Sequence, residues 1–110
     1  MSEKRDELAA VYYEEKIYVL GGSNGSQCLS SCERYDCLEN RWEFMPSMRV
    51  PRRALSGVSL PDGIYAVGGF NGSQYLRSVE KFDEQLNQWT LIASLNQARC
   101  NFSALPTPDN

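Results

Sequence analysis

The sequence predicts an all-β chain built from two copies of one unit of four short strands. The first observation behind this is a repeat. Ile17-Tyr18-Val19-Leu20-Gly21-Gly22-Ser23-Asn24-Gly25-Ser26-Gln27 is written again as Ile64-Tyr65-Ala66-Val67-Gly68-Gly69-Phe70-Asn71-Gly72-Ser73-Gln74, a shift of 47 residues. Overlaying residues 5–58 on 52–105 without a gap gives 20 identities in 54 positions, against about three from ordinary composition. A fixed period of roughly 20–50 residues usually decides the architecture. The second observation is the punctuation inside each unit, where short apolar or alternating runs are separated by Gly, Pro and Asn turn signals.

Each element of the second unit has its own reason. Residues 55–60 are apolar with small residues interleaved, as suits a strand near a crowded axis. Pro61-Asp62-Gly63 is a turn, Pro presetting φ and Gly supplying a positive one. Residues 64–67 form a continuous apolar run, fit for a strand buried on both faces. Gly68-Gly69 ends it where side chains would obstruct a close backbone approach. The loop 70–74 carries Asn-Gly, a strong turn dipeptide. Residues 75–83 alternate, with Leu76, Val79 and Phe82 among polar neighbours, and make a partly solvated third strand. Residues 84–88 are a polar connection, and 89–92 make a fourth, outer strand. The first unit reads alike, with its turn at Glu15-Lys16, its third strand at 28–36 and its fourth at 42–45. Arg5, Arg52 and Arg99 share the spacing, as do Leu8, Leu55 and Phe102, and Val11, Val58 and Leu105. The expected organisation is therefore a tail at 1–4, units at 5–51 and 52–98, the first strand of a third unit at 99–105, and a tail at 106–110.

Composition narrows the function classes. With 42% hydrophobic and 11% aromatic residues, the 110-residue chain has material for a real core. A net charge of −3 opposes a nucleic-acid surface, which needs clustered Lys and Arg to displace counterions. Arg49, Arg52 and Arg53 form the sole basic cluster. No apolar run approaches the roughly 18–20 residues that span a bilayer, and the charged opening from Met1 to Glu7 lacks the apolar centre of a secretory signal. Membrane and nucleic acid are not expected as partners, and the expected location is an intracellular, reducing one, the cytoplasm. Cys28, Cys32 and Cys37 are spaced by three and four residues, Cys100 is distant and histidine is absent, which matches no paired-CxxC zinc framework. The repeat sets Tyr75, Val79 and Glu84 opposite the first three, and Arg53 opposite Cys100. All four read as ordinary thiols, with no metal and no cofactor expected.

The di-glycine after an apolar strand, an aromatic thirteen residues past the second Gly (Tyr35, Phe82) and a Trp seven residues further (Trp42, Trp89) resemble the kelch repeat. Pro46-Ser47-Met48 before Arg52, and Ala93-Ser94-Leu95 before Arg99, extend the likeness to about 100 of the 110 residues. The resemblance implies β-propeller blades, one four-stranded antiparallel sheet per kelch repeat, and hence a partial propeller of about two blades. Blades bury both faces against neighbours. Trp42 and Trp89, with Tyr35 and Phe82, are therefore expected in inter-blade core. Glu33 and Glu80 are expected either to pair with Arg52 and Arg99 across blades or to stay solvated. Propellers close with about four to eight blades. Further kelch repeats, in the same chain or in other copies, are thus expected to complete the ring, and a chain that starts and stops inside the pattern favours a fragment.

Propellers also host enzymes, but here the residues oppose it. Without histidine, a galactose-oxidase-like copper site lacks its imidazoles and a Ser-His-Asp relay lacks its base. Asp36 and Asp83 precede turns, where Asp commonly bonds local backbone, and no GxxxxGK[ST] phosphate loop occurs. The sequons at Asn24, Asn71 and Asn101 are expected to be idle without a secretory route.

What remains is a binding surface, and binding usually sits on loops that vary over a repeating frame. The variable sites are Ser23 against Phe70, Cys28 against Tyr75, Arg53 against Cys100, and Ala54 against Asn101. In kelch propellers that recruit partners, positions after the di-glycine and after the repeated Arg line one rim of the central channel. Carried over, this implies Ser23, Asn24, Cys28, Phe70, Asn71 and Tyr75 in one loop set, and Arg53, Ala54 and Asn101 in the other. Phe70, Tyr75 and Arg53 are types that dominate interface energetics. The resemblance implies a non-catalytic protein-recognition module and, by analogy, a substrate receptor of a cullin-type ubiquitin ligase with a separate BTB domain. The alternatives are an actin-binding or scaffolding kelch protein, and a propeller enzyme.

Overall fold

The computed structural model describes residues 3–99, of which 93–99 by backbone alone. Eight strands follow in order: β1 (Ala9–Tyr13), β2 (Lys16–Leu20), β3 (Cys32–Asp36), β4 (Arg41–Met45), β5 (Ser56–Leu60), β6 (Gly63–Val67), β7 (Leu76–Asp83) and β8 (Gln88–Arg99). They form two four-stranded antiparallel sheets in the orders β1-β2-β3-β4 and β5-β6-β7-β8. Each sheet is one propeller blade, as the repeat requires. The expected third-unit residues 100–105 and the tail 106–110 lie outside the described residues.

The blades stack face to face, and the two-residue alternation of a strand decides what each face carries. Tyr18, Leu20, Cys32, Met45 and Met48 of the first blade meet Ile64, Ala66, Phe82 and Trp89 of the second in one core. Tyr65 and Val67, which alternate with Ile64 and Ala66, gather on the far side of the second blade with Val58 and Val79. The innermost strands β1 and β5 lie close together. Gly57 on β5 permits this, because a β-carbon there would run into the Val11 side chain.

Trp89 is 1% exposed and its indole N–H donates to the Pro46 carbonyl at 3.0 Å. Trp42, expected in the same kind of core, is 37% exposed, and Tyr35 beside it is half-buried. The correction has a simple cause. The face of the second blade that carries Trp89 rests on the first blade, whereas the matching face of the first blade has no blade against it among the described residues.

The repeated Arg–Glu pairs also differ from the expected pairing. Arg52 Nη2 donates to Glu80 Oε2 at 2.9 Å, and Arg5 Nη2 to Glu33 Oε2 at 3.2 Å. Each pair is buried and lies within one repeat, rather than joining Glu33 to Arg52 across two. Arg52 still joins the blades, through its backbone. Its N–H donates to the Leu29 carbonyl at 2.9 Å, and its carbonyl accepts from Gly22 N–H at 2.6 Å. Its side chain meanwhile donates to the Gly68 and Ser78 carbonyls of the second blade. Burial holds the Arg52 pKa below its ordinary value, against an opposing push from Glu80.

Strand β8 runs on through Arg99, well beyond the expected 89–92, and β4 stops at Met45. The matched positions differ by two prolines, Pro46 and Pro51 in the first unit against Ala93 and Ala98 in the second. Proline donates no N–H to a ladder, so the first unit's chain leaves its sheet at Pro46 and crosses to the next blade. The second unit continues, reaching Leu76 opposite Arg99 across two register shifts. The same difference explains why β3 begins only at Cys32, whereas β7 begins at Leu76, the match of Leu29.

Candidate protein-binding rim

The di-glycines deliver the rim residues. Gly22 and Gly69 have φ of 102° and 98°, and a β-carbon would sit 2.7 Å from the Asp6 or Arg53 carbonyl oxygen. This tight passage brings the residue after each pair against the residue after each repeated Arg. Ser23 and Asp6 exchange two backbone bonds of 2.7 Å, and Phe70 and Arg53 exchange two of 2.9 Å. Ser23 also bridges to Cys28, and Phe70 to Tyr75. Each blade thus presents one row of three, Asp6–Ser23–Cys28 and Arg53–Phe70–Tyr75.

The second row is a cation–aromatic cluster, exposed at Tyr75 and half-buried at Arg53 and Phe70. The Arg53 guanidinium carbon lies 4.7 Å from the Phe70 ring centroid, and Phe70 lies 5.1 Å from Tyr75 at an interplanar angle of 55°. Tyr75 is 58% exposed. Arg53 Nη1 also reaches Glu7 Oε1 of the first blade at 2.6 Å, and that bond raises the Arg53 pKa above its ordinary value, with a smaller push from the neighbouring Cys28. A β-carbon on Gly72 would stand 3.7 Å from Cys28 Sγ, so the second blade's loop lies over the first blade's cysteine. Ser23, Cys28, Arg53, Phe70 and Tyr75 therefore share one continuous rim across both blades.

The remaining expected residues have other roles or places. Ala54 is buried at φ 54°, and its N–H donates to the Glu7 carbonyl at 2.8 Å, so it offers no side chain to a ligand. Asn24 and Asn71 turn their Oδ1 atoms inward onto the N–H groups of Ser26 and Gln27, and of Ser73 and Gln74. Asn101 lies outside the described residues. Asp6 and Glu7 belong to the rim and were not expected there. The signal was available, because they stand one period before Arg53 and Ala54.

Other chemistry is sparse among the described residues. Cys28, Cys32 and Cys37 are free thiols, burial pushing the Cys32 pKa up to about 12. No group of three or more Cys, Asp or Glu residues is placed to hold a metal ion, and no helix is long and apolar enough to cross a membrane. A cleft of about 310 Å³ lies at the opposite end of the blades from the rim, lined by residues including Tyr13, Tyr18, Asp62, Lys81 and Glu84. Its Lys81 is tied to Asp62 at 3.0 Å, and Tyr65 O–H donates to the same carboxylate.

Comparison with known proteins agrees with this geometry. The chain is 35% identical over 60 residues to Kelch-like protein 41a of Danio rerio, a match covering 54% of this chain and 10% of that protein. It is 38% identical over 61 residues to an F-box/kelch-repeat protein of Arabidopsis thaliana, covering 54% of this chain and 16% of that one. These matches therefore span less than a fifth of either relative. The kelch-motif family model matches residues 4–49 and 51–96, one match for each four-stranded sheet. Two blades, two motif matches and the shared Arg, di-glycine and Trp positions place this chain in the kelch-repeat family.

Proposed function

We propose that this chain is a non-catalytic protein-recognition module that receives its partner on the rim formed by Arg53, Phe70, Tyr75, Ser23 and Cys28. The observation that carries this reading is the Arg53–Phe70–Tyr75 cluster, a stacked cation and two aromatic rings held by backbone pairing on a rigid scaffold. Preorganised Arg and Tyr side chains are the usual anchors of protein interfaces. In its cytoplasmic setting the module selects substrates for a cullin-type ubiquitin ligase. The name of the Arabidopsis relative, which joins an F-box to kelch repeats, supports pairing such a recognition surface with another functional segment. Further kelch blades, from the same chain or from other copies, cover the apolar face of the first blade, where Trp42 is 37% and Phe44 61% exposed.

The rim reading is tested by identifying a partner with the wild-type protein, purifying it, and measuring its affinity for Arg53→Ala and Tyr75→Ala. The expected result is a loss of at least about tenfold for each, the range of an interface anchor, with an unchanged melting temperature. Unaltered affinity in both variants overturns the rim assignment.

A further inference from the structure

The two rim loops carry an identical tetrapeptide, Asn24-Gly25-Ser26-Gln27 and Asn71-Gly72-Ser73-Gln74. They fold alike. In each, the Asn Oδ1 accepts bonds from the N–H groups two and three residues on, at 2.9 and 3.0 Å in the first loop and 2.8 and 2.9 Å in the second. The following glycines have φ of 97° and 103° and are exposed. The loops differ in their surroundings, Gly72 facing Cys28 Sγ and Gly25 open space, and they differ at the glycine N–H. Gly25 N–H donates to the Ser23 hydroxyl at 3.1 Å, and the matched position before Asn71 is Phe70, which has no acceptor on its side chain.

This difference falls on a reactive atom. An Asn-Gly pair deamidates when the glycine's backbone nitrogen, having lost its proton, attacks the Asn side-chain carbon Cγ. The Cγ–NH2 bond breaks, ammonia leaves and a five-membered succinimide closes. Water then opens the ring at either carbonyl, giving aspartate or isoaspartate, so the net change is –NH2 for –OH without oxidation or reduction. Glycine favours the ring because it carries no side chain to obstruct it. The Oδ1 bonds are common to both loops and polarise both carboxamides. The bond to Ser23, in contrast, keeps the Gly25 proton in place and must break before Gly25 nitrogen attacks.

We infer that Asn71 is a selective site of spontaneous succinimide-mediated deamidation on the rim, and that Ser23 protects the matching Asn24. The product puts an ionised carboxylate directly after Phe70, and isoaspartate adds a backbone methylene between Phe70 and Tyr75. The rim of the second blade thereby changes charge and shape with the age of the protein, while that of the first blade keeps its amide.

The test incubates the full chain in mildly alkaline buffer, then digests it briefly with trypsin. The peptides 17–34 and 54–77 carry one loop each, and the fraction deamidated in each is read by mass and by chromatographic separation of isoaspartate. Parallel incubation in concentrated urea gives the intrinsic ratio of the two sites. In native protein Asn71 is expected to convert about two- to tenfold faster than Asn24, relative to that ratio, the worth of one ordinary hydrogen bond. Ser23→Ala is expected to raise the Asn24 rate by a similar factor, and Phe70→Ser to lower that of Asn71. A native ratio equal to the urea ratio overturns the inference. So does a Ser23→Ala protein whose Asn24 rate is unchanged, or lower because the hydroxyl had been accepting the proton during attack.

Discussion

Trp89 and Trp42 occupy the same place in two repeats, yet one is sealed between sheets and the other stands at a boundary. Removing the buried indole takes away a large apolar surface and its bond to the Pro46 carbonyl. Trp89→Ala is expected to cost about 3–5 kcal/mol, and Trp42→Ala about 1 kcal/mol, both measured by urea unfolding followed by circular dichroism. Equal costs would mean that the two faces have equal cover. The aromatic spacing identified both residues as belonging to a blade's packing face. It carried no information on whether a neighbouring sheet is present, because burial is a property of the pair of surfaces. The same limit applies to the rim. The repeat marked Ser23, Cys28, Arg53, Phe70 and Tyr75 as variable and the kelch resemblance implied a shared rim, where backbone bridges set them in rows, but the positive φ that buries Ala54 depends on its bond to Glu7.

At the scale of elements, the crossing segment between β4 and β5 decides how the blades are joined. Glu80 on β7 gathers the N–H groups of Arg49 and Val50, at 2.6 and 3.2 Å, as well as the Arg52 guanidinium. Four donors on one buried carboxylate explain why that charge is retained in an apolar setting. Glu80→Gln is expected to destabilise the protein by about 3–5 kcal/mol, because it leaves the Arg52 charge buried and uncompensated. The measurement is the urea midpoint, with Glu39→Gln as reference, since the Arg41–Glu39 pair is exposed and its loss is worth less than about 1 kcal/mol. A similar midpoint for both variants would refute the role given to Glu80. Strand order, the second unit's first turn and the di-glycine endings were legible in the sequence, since each has a local chemical cause, whereas the first unit's turn falls at Glu14-Glu15, not at the expected Glu15-Lys16, because Lys16 already pairs with Tyr13. The partner of each Glu was not. Glu33 stands nearer in sequence to Arg52 than to Arg5, and only the run of the Arg side chain across its own sheet makes Arg5 the partner. The length of β8 was legible in principle, through two prolines replaced by alanines.

For the molecule as a whole, the two blades leave an unequal pair of outer faces. The second blade's far side is a buried apolar cluster. The first blade's open face shows Tyr12 (61% exposed), Ile17, Trp42 and Phe44. An exposed apolar patch of this kind drives association. The chain is expected to self-associate as its concentration rises in sedimentation velocity, and Phe44→Glu, at an exposed position, is expected to keep it monomeric without lowering its melting temperature. A wild-type chain that remains monomeric at high concentration would show that this face needs no cover. The bivalent anchoring of Arg52 reaches further still. Its main chain belongs to one sheet and its guanidinium to the next, so the joint travels inside the duplicated segment. Each new copy of the segment arrives already equipped to clasp its predecessor, and an array of this kind lengthens by whole units without any fresh interface having to evolve.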